Sequence, residues 1–455
     1  MRNHHQLREM RRARESRSLK LRMFSQHASS RPLWLEQLLS ASNPPPQLYA
    51  WTPFNLAGSF KHRRQESELD RERRVYVLGV GNVGRLYASY MSKASSPPPI
   101  TLVVHRKEKL LDWINSPGIE IERAGSVEQN KNFEIEWWTE TKPERGLVRE
   151  VADGSKLRNI IIATKATNAL QEADKLRRYL DQTSTVAFAQ NGMSKLWPPN
   201  GPAYVAHRYP QGNAPNFLHC ITTHGIVSEG TFRSRHASPA DAAIGPVLLN
   251  TSSCLNHHYL IEQVVKAPHL CSKFAPRADL WVLQLEKLIV NALINPLTGI
   301  LRCRNGALFD DASGVIAQVM DQLLREASQV LQALVLHPSS SPILAVGAAE
   351  EEGQARDIPN SLELEKEALL ERFSQHQLRA MLYGVGAKVR ENTSSMLQDI
   401  RAGKATEIRD FNGWIVETAA MMDPTIEVAS HSKIIELIER GDKLTQVELG
   451  KSVLT

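Results

Sequence analysis

Apolar residues are spaced in two ways in the first half of this chain. Short apolar runs, each the length of a buried strand, occur at residues 75–78, 100–104, 159–163 and 185–189. From residue 82 to residue 93, apolar residues instead recur every three or four positions, which predicts a helix. Strands that alternate with helices predict an α/β domain built on a doubly wound parallel sheet, and we place it at residues 75–275.

In the second half of the chain, the apolar residues recur only at helical spacing. This spacing predicts long helices at residues 280–295, 315–336, 362–382 and 407–422. Pro296 has no N–H group, so we expect the first of these helices to end or kink there. Residues 337–360, which include three consecutive serines and three consecutive glutamates, are predicted to be a disordered insertion. Residues 276–455 are therefore expected to form an all-α domain.

In the first 74 residues, the apolar positions show neither the strand pattern nor the helical spacing. The net charge of these residues is +8, whereas the rest of the chain carries −2 of the total of +6. The first 35 residues contain eight arginines, one lysine and only two glutamates, a composition typical of a mitochondrial transit peptide. This predicts a location in the mitochondrial matrix, with the cytoplasm as the alternative if the segment is only a basic tail.

Residues 40–74 combine a run of three prolines with mixed charge and are predicted to be a linker, so residues 1–74 are expected to be a disordered leader and linker. The remainder is nearly neutral and has no apolar stretch long enough to cross a membrane, so neither a nucleic-acid nor a membrane partner is predicted. The four cysteines are far apart and include no CxxC pair, so no metal site is predicted.

A glycine-rich turn links the first predicted strand to the first predicted helix. Its sequence, Gly79-Val80-Gly81-Asn82-Val83-Gly84, has the GxGxxG spacing. In that position Gly79 allows a tight turn, Gly81 lets the backbone approach a pyrophosphate, and Gly84 lets the helix pack on the strand. The free N–H groups of the helix N-terminus then face the phosphates. A dinucleotide-binding domain of Rossmann type is therefore predicted, with Gly79, Gly81, Asn82, Val83 and Gly84 at the cofactor.

The end of the second strand indicates which dinucleotide binds. An acidic residue there would bind the ribose hydroxyl of NAD, whereas an arginine accommodates the 2′-phosphate of NADP. The chain has His105, Arg106 and Lys107 at this point and no acidic residue. Arg106 therefore predicts NADPH as the cofactor.

The predicted helix at residues 280–295 carries a narrow polar stripe. Lys287, Asn291 and Asn295 are four residues apart, so they lie on one face of a helix that is otherwise mostly apolar. Polar groups embedded in an apolar helix need partners or serve a site. A second interpretation stays open from spacing alone, in which Lys287 is solvated and the asparagines bond nearby backbone.

Further short motifs carry a family resemblance. They are Thr164-Lys165-Ala166 and Gln190-Asn191-Gly192, which follow predicted strands, then Cys220-Ile221-Thr222-Thr223-His224-Gly225, Asn295-Pro296-Leu297-Thr298, Ser394-Ser395-Met396-Leu397-Gln398-Asp399-Ile400 and the downstream Glu407. With the glycine-rich turn and the polar stripe, they resemble the ketopantoate reductases (2-dehydropantoate 2-reductases). The resemblance covers residue 75 onward, apart from residues 337–360 and extra length at residues 107–158.

The resemblance implies roles for individual residues. Lys287 would be the general acid that protonates the substrate carbonyl oxygen, and Glu407 would hold a substrate hydroxyl and tune the site. The residues implied to bind substrate are Asn191, Asn291, Asn295, Asn392 and Ser395. Lys165 is implied to lie on the cofactor side, and Asn191 close to both nicotinamide and substrate. Asp399 is interpreted as a helix-local polar contact, and His219, His224 and His236 as structural histidines.

The function that follows is NADPH-dependent reduction of 2-ketopantoate to pantoate for pantothenate and coenzyme A synthesis. Two alternatives are kept. One is a paralogous reductase of another 2-keto acid, because the catalytic set does not fix the pocket lining. The other is a non-catalytic NADP-binding regulatory protein whose basic leader contacts RNA or a partner. The oligomeric state, monomer or homodimer, is left open.

Overall fold

The computed structural model describes residues 31–40, 44–60, 67–250, 257–350 and 358–454. The chain divides into two compact units, residues 1–40 and residues 41–455. Within the first unit, helix α1 covers Leu33–Ser40. Residues 1–30, which carry most of the predicted transit peptide, lie outside the described residues.

The second unit is built on a nine-stranded sheet in the order β1-β6-β3-β2-β7-β8-β9-β12-β13. The strands are β1 Tyr49–Trp51, β2 Val75–Leu78, β3 Ile100–Val104, β6 Glu134–Thr139, β7 Asn159–Ile162, β8 Thr185–Ala189, β9 Asn216–Thr222, β12 Ala242–Leu248 and β13 Ser272–Phe274. The six strands from β6 to β9 are parallel, while β1 and β12 run antiparallel to their neighbours β6 and β9. The predicted α/β class and all four predicted strands are confirmed.

Strand β2 lies between β3 and β7, so the strand order reverses there. Parallel sheets bind ligands at such a reversal, beyond the carboxyl ends of the strands. The helices α4 Asn82–Met91 and α6 Ala166–Lys175 begin at this edge, the first within the glycine-rich turn and the second directly after Lys165. The helix predicted at residues 82–93 is thereby confirmed, within two residues at its end.

The linker predicted at residues 40–74 is partly structured. It contains β1 and the short helices α2 Pro53–Leu56 and α3 Glu68–Arg73. Trp51 of β1 packs on Trp137 of β6 with ring centroids 5.6 Å apart, and Asn55 donates hydrogen bonds to the carbonyls of Ala50 and Leu147. The prediction of a disordered linker is wrong here, because a three-residue apolar strand between two proline-containing segments is too short to give a periodic signal.

The extra length at residues 107–158 contributes helix α5 Lys107–Asn115, strand β6 and half of a second sheet. That sheet has the order β10-β11-β4-β5, with β4 Ile119–Arg123, β5 Ser126–Asn130, β10 Gly225–Ser228 and β11 Arg233–Ser238. Two further helices, α7 Asn200–Arg208 and α8 His257–Val265, complete the α/β part.

From residue 277 the described chain is helical. The helices are α9 Arg277–Leu301, α10 Val315–Leu336, α11 Ser341–Glu350, α12 Ile358–Arg372, α13 Gln375–Lys388, α14 Ser395–Arg401, α15 Trp414–Met422, α16 Ala429–Arg440 and α17 Gln446–Val453. A π-helical turn, Arg409–Gly413, leads into α15. The helix predicted at residues 362–382 is two helices, because Ser374 caps the start of α13 by accepting a hydrogen bond from the backbone N–H of Gln377.

Pro296 does not end α9, which continues to Leu301. A proline inside a helix leaves the carbonyl four residues earlier without its N–H partner. Here that carbonyl belongs to Ala292, and it accepts a hydrogen bond of 3.0 Å from the buried side chain of Asn412. An amide from a distant segment thus replaces the missing donor, which the local sequence could not reveal.

The disordered insertion predicted at residues 337–360 is also wrong in part. Helix α11 occupies residues 341–350 and α12 begins at Ile358, while residues 351–357 lie outside the described residues. Ile343 and Leu344 are fully buried, so apolar contacts stabilise this helix.

Helix α9 is apolar and long enough to cross a membrane, but 72% of its most apolar window is buried inside the protein, as in a core helix.

Candidate active site

A cavity of about 900 Å³ lies at the carboxyl ends of the central parallel strands, bordered on the other side by α9 and α13. Most of the predicted site residues line it: Gly81, Asn82, Val83, Lys165, Asn191, Lys287, Asn291, Asn295, Asn392, Ser395 and Glu407. The sheet and the helical region therefore bring residues from distant parts of the chain to one place. Gly79, Gly84 and Arg106 do not line the cavity.

The glycine-rich turn is closely packed at its first and last glycines. Gly79 has a φ of +95°, and a Cβ there would lie 2.8 Å from the carbonyl oxygen of Ala163. A Cβ on Gly84 would lie 2.0 Å from the carbonyl oxygen of Gly79, so α4 can approach β2 only with glycine at this position. A Cβ on Gly81 would meet nothing within 4 Å, because this residue faces the open cavity.

The other two residues of the turn have different surroundings. The side chain of Asn82 is held within the protein, since its Oδ1 accepts hydrogen bonds from Arg85 and Ser234. Val83 is partly buried and packs against the apolar core of the α/β part. At this point α4 begins without a side-chain cap, so its first N–H groups are free to bind a phosphate.

Lys287 projects from α9 into the centre of the cavity. Its Nζ donates hydrogen bonds of 2.9 Å to Asn191 Oδ1 and of 2.5 Å to the carbonyl oxygen of Thr222. Both acceptors are neutral. Desolvation lowers the pKa of Lys287 to about 8, and the nearby Glu407 opposes this shift. The lysine is therefore an acid whose proton is easily given up near neutral pH.

Asn191 joins Lys287 to Glu407. Its Oδ1 accepts from the lysine, and its side chain also hydrogen-bonds the carboxyl group of Glu407. Glu407 is buried, and desolvation raises its pKa above the ordinary value, while its bond to Asn191 and the charge of Lys165 act in the opposite direction. One amide thus holds the acid and the carboxyl group in a fixed relation, which spacing along the chain does not show.

The polar stripe on α9 continues to a second amide pair. Asn295 lies 3.4 Å from both Asn291 Oδ1 and Ser395 Oγ, at the start of α14. The Nδ2 of Asn291 is buried and has no hydrogen-bond partner within the described ranges. Asn392 Oδ1 accepts a hydrogen bond of 3.0 Å from Ser238, which leaves its own N–H groups for the cavity. These donors suit a carboxylate or a hydroxyl group.

Lys165 spans the cavity mouth. Its Nζ lies 2.8 Å from Asp399 Oδ2 on α14 and also donates to the carbonyl oxygen of Ala405. Asp399 is therefore more than the helix-local contact expected from the sequence, because it ties α14 to the loop after β7. A second bond, of 2.6 Å from Thr167 on α6 to Asp410 in the π-helical turn, also joins the α/β part to the helical part of the chain.

Comparison with known proteins places the chain. Residues 75–248 match the family profile described as "Ketopantoate reductase PanE/ApbA", and residues 279–440 match "Ketopantoate reductase PanE/ApbA C terminal". The chain belongs to the ketopantoate reductase family. Like the other members, this ketopantoate reductase family protein is an oxidoreductase that uses a nicotinamide coenzyme and acts on small 2-keto acids, so the non-catalytic alternative is not supported.

Among its relatives, the ketoisovalerate reductase BEA2 of Gibberella fujikuroi is 43% identical and the ketoisovalerate reductase of Beauveria bassiana is 44% identical. Each match covers 93% of this chain and 99% of the relative. A probable 2-dehydropantoate 2-reductase of Schizosaccharomyces pombe is 25% identical over 76% of this chain and 90% of its own.

Solved structures share the fold at low identity. A putative ketopantoate reductase from Ralstonia solanacearum has a TM-score of 0.54 and 15% identity, and covers 82% of this chain and 99% of its own. A ternary complex of D-mandelate dehydrogenase with NADH and anilino(oxo)acetate has a TM-score of 0.53 and 14% identity. The match covers 83% of this chain and 99% of the dehydrogenase. A Rossmann-type domain followed by a helical domain is therefore the fold of this ketopantoate reductase family protein.

The cavity of this family member contains buried polar atoms that lack hydrogen-bond partners, and a nicotinamide coenzyme could supply those partners. Thr164 Oγ1, Gln190 Oε1 and Thr222 Oγ1 are buried at the cavity and have no partner among the residues that the structure describes. Buried polar atoms are seldom left unpaired in a folded protein, so a ligand is the natural partner. Together with the uncapped start of α4, they can hold the coenzyme along the sheet edge.

Arg106 is exposed just after β3 and next to the turn into α5. In the described part of the chain its side chain forms no hydrogen bond or ion pair. It is placed beside the strand end where the ribose of a bound dinucleotide lies in such sheets. Lys107, one residue further, lies over the ring of Trp51 at 5.2 Å and is held by it.

Sequence reasoning missed several residues of the cavity, among them Thr164, Gln190, Thr222 and Asn305. Asn305 is buried, lines the cavity and has an unpartnered Oδ1. It follows the end of α9, and its backbone N–H bonds the carbonyl of Asn392. The only signal in the sequence is an Asn-Gly pair, which reads as an ordinary turn.

The three histidines have different environments. Tyr90 Oη lies 2.7 Å from His236 Nδ1, and His236 Nε2 lies 3.0 Å from His224 Nδ1. His224 Nε2 is 2.9 Å from the carbonyl oxygen of Leu270. His219 is fully buried, and desolvation with the charge of Lys287 lowers its pKa to about 3, so it stays neutral. These contacts are those of structural histidines, although His224 also borders the cavity.

Proposed function

We propose that this enzyme reduces 2-ketoisovalerate (3-methyl-2-oxobutanoate) to 2-hydroxyisovalerate with NADPH. The observation that carries the proposal is the similarity along nearly the whole chain to two ketoisovalerate reductases. This favours a paralogue with another 2-keto acid over the 2-ketopantoate expected from the family alone. When bound, the coenzyme supplies the hydride that adds to the carbonyl carbon.

In this proposal Lys287 gives its proton to the carbonyl oxygen of the substrate. Its ammonium group also stabilises the negative charge that develops on that oxygen, in a site where little water screens it. Asn191 and the Thr222 carbonyl hold Nζ in place without neutralising its charge. A pKa of about 8 keeps the lysine protonated at neutral pH yet makes it a competent acid.

The polar groups beside Lys287 orient the substrate. Asn291 and Asn295 on α9, with Asn392 and Ser395 at the start of α14, present amide and hydroxyl donors to the carboxylate. Glu407 positions Lys287 through Asn191 and, as the nearest carboxyl group, keeps the lysine pKa from falling further. The amide and hydroxyl donors recognise the carboxylate that all 2-keto acids share, so they do not choose among these substrates.

We propose that the coenzyme is NADPH rather than NADH, because Arg106 lies at the end of strand β3. An exposed guanidinium group with no bond in the described part of the chain can form paired hydrogen bonds to a 2′-phosphate. Gly81, Asn82, Val83 and Lys165 would border the coenzyme along the cavity, with Gly79 and Gly84 shaping the turn beneath it.

2-Ketopantoate is the second candidate substrate. The observation that favours it is the unpartnered Oδ1 of Asn305, a buried acceptor at the cavity that could take a hydrogen bond from a substrate hydroxyl. Glu407 is a further acceptor of this kind. In that case the product would be pantoate, and the enzyme would serve pantothenate and coenzyme A synthesis.

The test is steady-state kinetics of the full-length enzyme with 2-ketoisovalerate and 2-ketopantoate, each with NADPH and with NADH. We expect kcat/KM with 2-ketoisovalerate and NADPH to be at least about tenfold above the other three combinations. A higher kcat/KM for 2-ketopantoate would contradict the proposed substrate. A preference for NADH would contradict the role of Arg106.

We also propose that residues 1–35 direct the enzyme to the mitochondrial matrix, which rests only on their composition. A fluorescent protein fused behind residues 1–74 should accumulate in mitochondria. The same fusion without residues 1–35 should stay in the cytoplasm, and cytoplasmic signal from both would contradict the proposal.

A further inference from the structure

Helix α13 turns an apolar face to the cavity. Met381 and Val385 on the helix, and Val389 just after it, are spaced four residues apart and line the cavity side by side. All three are partly exposed, whereas Leu378 and Leu382 on the inner face of the same helix are buried. Apolar side chains that border a cavity are positioned to contact the apolar part of a ligand.

The position of this wall is fixed from behind. Gly386 packs against the ring of Phe309, and a Cβ at residue 386 would lie only 2.5 Å from ring atoms. Gly306 packs in the same way against the backbone of Arg390, which follows the wall. Because Gly386 lies directly against the ring, α13 cannot move further towards Phe309 without a clash.

Helix α9, which packs against α13, contributes polar groups to the same cavity. Lys287, Asn291 and Asn295 lie on one of its faces. A 2-keto acid whose carbonyl and carboxylate groups bind that face leaves its remaining group to the apolar part of the cavity lining. The side chains of Met381, Val385 and Val389 offer that group contacts with no hydrogen-bond donor or acceptor apart from a weakly accepting thioether.

We infer that Met381, Val385 and Val389 form the wall that receives the alkyl group of the substrate and thereby determine which 2-keto acid is accepted. The inference rests on the proposed function in so far as the substrate is a 2-keto acid bound at Lys287. It adds the residues that choose the substrate, which are separate from those that bind the shared polar end.

The experiment measures kcat/KM of full-length enzyme and variants for 2-ketoisovalerate, 4-methyl-2-oxopentanoate and 2-ketopantoate. Met381→Ala enlarges the pocket, so the ratio of 4-methyl-2-oxopentanoate to 2-ketoisovalerate should rise about tenfold, the usual effect of one methylene. Val385→Thr keeps the shape but places a hydroxyl against the alkyl group. It should lower kcat/KM for 2-ketoisovalerate by about tenfold and change that for 2-ketopantoate less.

Val447→Thr is the matched control, because Val447 is 58% exposed on α17 and does not line the cavity. Its substrate ratios should equal those of the wild type. The melting temperature and the Kd for NADPH of each variant show whether fold and coenzyme site are intact. Substrate ratios that stay within twofold of wild type in both wall variants, with fold and NADPH binding intact, would overturn the inference.

The result separates the inference from the proposed function. If the wild-type enzyme prefers 2-ketopantoate but the wall variants still shift the substrate ratios, the proposed substrate is wrong and the wall assignment stands. If the wild type prefers 2-ketoisovalerate and the ratios do not move, the wall assignment is wrong and the proposed substrate stands.

Discussion

The two sides of the cavity are built in different ways. On the sheet side, the surface proposed to meet the coenzyme phosphates is backbone, formed by the glycine-rich turn and the uncapped start of α4. On the helical side, the substrate face consists of side chains from α9, α13 and α14, with Glu407 beyond them. A backbone surface recognises what every dinucleotide has in common, whereas a side-chain surface can change residue by residue and so change the substrate.

Two of the lysines that line the cavity show the same contrast in charge. Lys165, from the sheet side, is paired with Asp399 across the cavity mouth. Lys287 has neutral partners, and its pKa falls to about 8 because it is desolvated. The first lysine is arranged to hold two parts of the protein together, and the second is arranged to lose a proton.

Replacing Lys287 should have the largest effect. Lys287→Ala removes the proposed proton donor, so kcat should fall by about 10² to 10⁴-fold. The Kd for NADPH, measured by fluorescence titration, should stay near the wild-type value because Lys287 is on α9 and not on the turn proposed to bind the coenzyme phosphates. Turnover close to wild type would show that another group donates the proton.

The glycine-rich turn offers a matched pair of variants. Gly84→Ala forces a methyl group against the Gly79 carbonyl and should lower the free energy of unfolding by about 1 to 3 kcal/mol. Gly81→Ala meets no protein atom within 4 Å, so its stability should be unchanged while its NADPH affinity falls. Denaturant unfolding and coenzyme titration measure the two effects. Equal loss of stability in both variants would contradict the packing described for this turn.

Arg106 tests the choice of coenzyme. Arg106→Ala should raise KM for NADPH by about tenfold or more, the loss expected for a charged hydrogen bond, and leave KM for NADH nearly unchanged. Arg123→Ala, a change of the same type in β4 away from the cavity lining, is the control. Equal effects on the two coenzymes would mean that Arg106 does not contact the 2′-phosphate.

Glu407 should have the smallest and most specific effect. Glu407→Gln removes the charge that raises the Lys287 pKa but keeps an oxygen that can accept from Asn191. The alkaline limb of the pH profile should therefore move to lower pH in this variant. A limb at unchanged pH would show that Glu407 does not act on Lys287 electrostatically.

Local patterns predicted the coenzyme side well. The strand, turn and helix around residues 75–91 are contiguous in sequence, so the spacing of apolar residues and of glycines is sufficient to predict them. The substrate side depended on family resemblance, since only packing brings Asn392, Ser395 and Glu407 beside α9. Asn305 could not be recognised locally, because its Asn-Gly pair resembles an ordinary turn. The hydrogen bond from Asn412 that lets α9 continue beyond Pro296 could not be recognised either, because the two residues are distant in sequence.

The pH dependence of kcat/KM for 2-ketoisovalerate reduction tests the central claim most directly. A general acid must be protonated, so the free enzyme with a Lys287 pKa of about 8 should be active below that pH. We predict a plateau at neutral pH and a tenfold fall per pH unit above about 8, with the limb absent from the residual activity of Lys287→Ala. A profile that stays flat to pH 10, or a limb that persists in Lys287→Ala, would contradict the assignment of Lys287 as the proton donor.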